Sequence, residues 1–223
     1  MRRLIQIAVA LVLSGLPASG ETIDRVVAVV NGRTLLLSEW DSAARREALL
    51  DHKPLASLTD ASRSTTLERM IDREVIRSEM ENSSAPQCTP QEVATRLQEI
   101  HGEYPGDDAA WAATLRSYGV TEAEIEAAVN VELNGLRLID FRLRSNAQPD
   151  AGKIERYYRD IYLPAMRAKS AQPGSLAEVT PQIREILTQQ KLSDLTTAWL
   201  QELRTRVDIR RNVGGEAGAP LKP

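Results

Sequence analysis

Among its 223 residues the chain has one cysteine, two histidines and one phenylalanine, three residue types on which many active sites and cores depend. Cys88 alone forms no internal disulfide, so the fold has to stand on its hydrophobic interior. Burial as a small apolar residue is the place expected for its thiol. His52 and His101 lie far apart, each at the end of an expected helix, and a metal site would need carboxylates to converge on them. The phosphate loop, the dinucleotide fingerprint GxGxxG and the motifs HExxH, CxxC and GxSxG are all missing. With them go the usual forms of nucleotide-driven, zinc-peptidase, thiol-redox and serine-hydrolase chemistry, and no cofactor is expected. Glu122, Glu124 and Glu126 read as a solvated helix face with charge at its N-terminus rather than as a catalytic pair. Aromatics make up 4% of the chain, so Leu, Ile, Val, Ala and Met must build the core. No basic stripe with interleaved aromatics is present, which leaves no basis for a nucleic-acid partner. Nor is there an internal repeat of solenoid type.

What is present is an ordinary globular balance, 42% hydrophobic and 26% charged, with room for one domain or two small ones. The first twenty residues stand apart. Arg2-Arg3 precede an uncharged apolar run over residues 4–16, and Pro17-Ala18-Ser19-Gly20 follows. This is the pattern of a secretory signal peptide, with Ala18 and Gly20 at the −3 and −1 places of a cut between Gly20 and Glu21. The run is short for a membrane span. Loss of two arginines takes the formal net charge from −3 to −5, so a mildly acidic exported chain is the expected product.

Residues 21–40, ETIDRVVAVVNGRTLLLSEW, read as strand, Asn-Gly turn, strand and helix start. Ser38 is the expected cap of the first helix, with Asp41 at its third position. A second helix is expected over 60–82, striped by Leu67, Met70, Ile71 and Val75. Thr89-Pro90-Gln91-Glu92 spells a capping box with proline at the first helical position. A fourth helix over 108–118 stops at Gly119, and Thr121 with Glu124 opens a long fifth one. From 136 to 143 its apolar residues leave a single stripe, which predicts cover on several sides. Residues 153–163 predict a sixth helix, and 168–175 a flexible linker. Two starts are open for the last helix: Thr180-Pro181, or Ser175 with Glu178 three places on. Residues 207–210 alternate as a short strand, and the tail 212–223 has a composition expected to lack order. The fold class is therefore mainly α, with a small N-terminal β-hairpin joined by a C-terminal strand.

The order of these segments carries a resemblance. VVAVVNGRTLLLSEWD, LERMIDREVI, TPQEV and GVTEAEIEAAV, followed far downstream by LAEVTPQIREILTQQKLSDLTTAWLQELRTRVDI, resemble the chaperone core of the SurA family of periplasmic chaperones. The likeness covers about 22–145 and 175–211. It implies one helical core built from both ends of the chain, the final strand joining the first. The organisation is then a signal peptide (1–20), an N-terminal helical domain (21–145), a linker with one helix (146–175), a C-terminal helix and strand (176–211) and a tail (212–223). Members of the family carry parvulin-type isomerase domains between the two parts. Here residues 146–175 are too few for one, which would need roughly a hundred, the size of a small independent domain.

The function the resemblance implies is a periplasmic, ATP-independent holdase for unfolded outer-membrane or secreted polypeptides. A prolyl isomerase and a structural homodimer formed by exchange of the last helix are its alternatives. Trp111 with Tyr118, and the cluster Tyr157, Tyr158 and Tyr162, are the candidate substrate-binding residues, because such rings offer an apolar body and a polar handle. No catalytic residue is assigned.

Overall fold

A computed structural model describes residues 24–170 and 172–212. The expected signal peptide with its Gly20/Glu21 cut, and all of the tail after Asn212, lie outside the described residues. Strands β1 (Val26–Val30) and β2 (Arg33–Leu36) form the expected hairpin. Its turn residues Asn31 and Gly32 both have positive φ, 49° and 82°, the requirement that Asn-Gly meets at least cost. Pairing runs Val30 to Arg33, Val29 to Thr34 and Ala28 to Leu35, then shifts through a bulge before Val26 meets Leu36.

The expected cap of helix α1 (Leu37–Leu50) is corrected by the structure. The helix begins two residues earlier, and Leu36 holds the cap position without a usable side chain. β2 runs into α1 with no intervening loop, so capping groups come from elsewhere. Glu39 accepts from the Leu36 N–H at 2.9 Å. The Asp24 carboxylate, brought alongside by the hairpin, accepts from the Ser38 N–H at 3.2 Å and from the Ser38 hydroxyl. These bonds hold the Asp24 carboxyl below its usual range.

The third strand, β3 (Ile209–Arg211), lies antiparallel on the free side of β1, giving the sheet order β2-β1-β3. Val30 faces Ile209, Val29 faces Arg210 and Ala28 faces Arg211. The two ends of the described chain thus share one sheet, and the apolar β1 gains a partner on each edge. Beneath it sits the first core: Val27, Val30, Leu35 and Trp40 packed with Leu67, Ile71, Val75 and Leu203. Trp40 satisfies its buried indole by donating to the Arg63 carbonyl at 2.7 Å.

Helices α2 (Asp60–Glu81), α3 (Pro90–Gly102), α4 (Asp108–Tyr118) and α5 (Glu122–Leu143) are capped by Thr59, Thr89, Asp107 and Thr121. Gly119, at φ 64°, ends α4 in the left-handed region. Helices α3, α4 and α5 and the end of α1 enclose the second core of Leu49, Val93, Ile100, Trp111, Ile125 and Val129. Tyr104 seals it by donating to the Leu49 carbonyl, and burial pushes its hydroxyl pKa up to about 12.

The expected single helix over 153–163 is longer and interrupted: α6 (Ala151–Tyr157), a π-helical turn (Tyr158–Tyr162) and α7 (Leu163–Ala168). Pro164 supplies the reason. It has no N–H for the Asp160 carbonyl and its ring crowds that group, so the ladder just before it widens. The Leu163 N–H accordingly reaches the Tyr158 carbonyl, five residues back. Helix α8 (Leu176–Arg206) starts at the Ser175–Glu178 capping box and carries Pro181 within it. At 31 residues it is about 46 Å long. A third, small core of Ile154, Val179 and Ile183 joins its start to α6.

Candidate functional site

Helices α2, α5 and α8 meet at three corners. At the first, Leu203 of α8 enters the first core, and Arg204 donates to Asp72 at 2.7 Å and Glu68 at 3.0 Å on α2. At the second, Arg142 of α5 lies 3.4 Å from Glu79 of α2. At the third, Arg144 binds Asp140 at 2.9 Å and Glu185 of α8 at 3.1 Å, beside buried Ala147 and Thr188. Between Thr188 and Leu203 no side chain of α8 is buried. Leu192, Leu195, Trp199 and Leu200 are only half-covered there. The helix crosses that interval, about 22 Å at 1.5 Å per residue, as a strut, with Trp199 packed against the first core near its far end.

Under the strut lies a groove of about 560 Å³. Its α5 wall is formed by Leu133, Leu136, Arg137 and Asp140, which share one face at i, i+3, i+4 and i+7, with Ile139 and Phe141 beside them. Gln189 and Leu192 form the α8 wall, and the loop through Pro86 and Cys88 forms the lip. Leu136 and Phe141 are each 54% exposed, the highest among the described large apolar side chains. Of the apolar residues over 136–143, Leu138 is fully buried and Ile139 and Leu143 are half-covered, but Leu136 and Phe141 face water, so the expected cover on several sides is corrected at those two positions.

The lip is fixed from α5. Asn134, 8% exposed, accepts from the Cys88 N–H at 2.7 Å and donates to Asn130 at 2.8 Å. Arg137 donates to the Gln87 carbonyl and to Glu92. The Glu92 carboxyl is held low, first by the Thr89 backbone N–H and also by Arg137. At the far end Gln189, then Arg144, hold the Glu185 carboxyl low. Cys88 is half-buried rather than enclosed, its sulfur 3.8 Å from the Asn130 carbonyl.

The five candidate aromatics divide between two clusters, and none lines this groove. Trp111, 6% exposed, belongs to the second core, between Tyr104 and His101 with ring centroids 5.1 and 5.3 Å away. Tyr118 packs on the same core and donates to the Lys53 carbonyl at 2.9 Å. Tyr157, Tyr158 and Tyr162 pack on the third core. Tyr158 and Tyr162 stack at 5.5 Å and bind Gly174 from both sides: Tyr158 donates to its carbonyl at 2.9 Å and Tyr162 accepts from its N–H at 3.2 Å. They tether the chain where it enters α8. Tyr157 borders a smaller hollow of about 230 Å³ with Ile161 and Leu187. Aromatic clustering did not point to Leu136 and Phe141. The signal that marks them is the departure of 136–143 from one helical stripe.

Among the described residues no group of three or more His, Cys, Asp or Glu is placed to hold a metal ion, and no helix is long and apolar enough to cross a membrane. No known protein family matches the chain, and no curated protein matches it either.

Proposed function

We propose that the chain is a periplasmic, ATP-independent holdase that shelters apolar segments of unfolded outer-membrane or secreted polypeptides. One observation carries the reading. The groove between α5 and α8 is open to water, yet its walls present Leu133, Leu136, Ile139, Phe141 and Leu192. Exposed apolar surface that is concave and contiguous marks a binding site far more often than scattered apolar residues do. The sheet that joins β1 to β3 supports the same reading, because the resemblance to the SurA-type core implies that closure. So does the expected leader at residues 1–20. Residues 146–175, which stand where relatives of that type carry an isomerase, form α6, α7 and the entry to α8, and they favour shelter over catalysis.

The test is aggregation of a denatured outer-membrane protein in the presence of the chain from Glu21 onward. Suppression without added nucleotide is expected, and Leu136→Glu should weaken it. Absence of suppression at several-fold excess overturns the reading, as does clear catalysis in a proline-peptide isomerisation assay with no suppression alongside.

A further inference from the structure

We propose that the occupant of the α5–α8 groove is a short amphipathic helix of another polypeptide, carrying a lysine or arginine at the end that lies against Asp140 and Glu185. The inference rests on the holdase reading and narrows its substrate to segments that fold into a helix on binding.

The backbone of the walls decides the shape of the ligand. Both walls are helices, so their N–H and C=O groups are spent within the helix. At the lip Pro86 has no N–H, the Gln87 carbonyl already accepts from Arg137, and the Cys88 N–H is donated to Asn134. An extended segment pressed between the two helical walls would lose water from its own backbone and find no main-chain partner on either wall, which is costly for each buried group. A helix satisfies its backbone internally and buries only side chains. The α5 stripe of Leu133, Leu136, Arg137 and Asp140 spans about two turns, roughly 10 Å, the spacing at which side chains of an incoming helix pack ridge into groove.

Charge sets the orientation. At the lip Arg137 and Glu92 neutralise each other. At the opposite end the wall residue Asp140 shares the guanidinium of Arg144 with Glu185, which accepts from the wall residue Gln189 at 2.7 Å. That end also holds the carboxyl terminus of α5, which adds partial negative charge. A cation on the incoming helix completes the set.

The experiment uses the mature chain and three labelled peptides of about 14 residues. One has leucines at i, i+3, i+4 and i+7 and a terminal lysine. The second has two prolines replacing central polar positions, and the third has glutamate in place of the lysine. Fluorescence anisotropy is expected to show binding of the first, loss of about tenfold or more for the proline peptide and about threefold or more for the glutamate peptide. Leu136→Glu should abolish the binding while circular dichroism stays unchanged. Aspartate and glutamate removal together, Asp140→Asn with Glu185→Gln, should erase the difference between lysine and glutamate peptides. Equal affinity for the helical and proline peptides overturns the inference, and so does binding that survives Leu136→Glu. Aggregation suppression is measured in parallel. If it persists while the helical peptide fails to bind, only this inference falls; if both fail, the holdase reading falls with it.

Discussion

Asn31 and Asp208, 177 positions apart, bond each other in both directions: the Asn31 N–H donates to the Asp208 carbonyl at 3.0 Å, and Asn31 Oδ1 accepts from the Asp208 N–H at 3.3 Å. The residue that makes the hairpin turn possible also holds the returning strand. Asn31→Ala removes the acceptor and places a methyl-bearing residue at φ 49°. A loss of about 1–3 kcal/mol is expected in urea unfolding. Asn31→Gly keeps the turn and loses only the side-chain bonds, to Asp208 and, at 3.4 Å, to the Ser78 hydroxyl, so it should cost about 0.5–1.5 kcal/mol. Asp208→Ala leaves both main-chain bonds in place and should sit within about 0.5 kcal/mol of the parent. Equal effects from all three would show that the pairing does not govern the clasp.

Glu47 ties α1 to α2. Its carboxylate, 13% exposed, accepts from Arg69 at 2.6 Å, Arg73 at 3.2 Å and the Thr66 hydroxyl at 2.6 Å. Burial pushes the carboxyl up, but the bonds from Arg69 and Thr66 outweigh it and the net pKa lies below the usual 4.5. A carboxyl depressed on folding contributes stability above its unfolded value, and that stability is lost as pH falls through 4.5 toward the folded value. Glu47→Gln should cost about 1–3 kcal/mol at neutral pH, and less in acid, where the parent has already lost the contribution. A stability difference that stays constant from neutral pH down through this window would contradict the assignment.

The places where the sequence reads correctly share a physical trait. Thr89–Glu92 and Thr121–Glu124 cap their helices with partners three residues apart, so the whole device is visible locally, and of the two starts open for α8 the structure takes Ser175–Glu178, a device of the same kind. The start of α1 is not visible in that way, because its cap is Asp24, fourteen positions before Ser38 and adjacent only once the hairpin has formed. Pairing of β1 with β3 is anticipated by an apolar strand at the front, a short alternating segment at the back, and the resemblance to the SurA-type core. The groove is different in kind. Whether Leu136 is covered depends on where α8 lands, and that is set by Arg144 with Glu185 at one end and Leu203 at the other. No local period encodes an empty space between two helices.

Thr188 tests the vertex where α5 and α8 part. It is 1% exposed, and among the described residues its hydroxyl has no hydrogen-bond partner. An unpaired buried hydroxyl costs about 1–3 kcal/mol relative to an apolar group of the same shape. Thr188→Val keeps the volume and the β-branch and removes that cost. The variant should gain about 0.5–2 kcal/mol, read as a raised thermal midpoint. A lowered midpoint would mean that the hydroxyl has a role in holding the vertex.

Function and stability should separate cleanly across α5. Leu136 and Phe141 face water, whereas Ile125 and Leu138 on the same helix are fully buried. Phe141→Ser and Leu136→Glu therefore remove apolar surface that contributes little to folding, and each should stay within about 0.5 kcal/mol of the parent in denaturant unfolding. Leu138→Ala leaves a cavity and should cost about 2–5 kcal/mol. Suppression of aggregation should show the reverse order: strongly reduced in the two exposed variants, and retained by Leu138→Ala at temperatures where that variant remains folded. The comparison isolates the groove because all three substitutions lie within two turns of one helix, so a general disturbance of α5 would strike the buried variant hardest. If Leu138→Ala loses activity while folded and the exposed variants keep theirs, binding depends on the rigidity of α5, and the surface between α5 and α8 is not where clients are held.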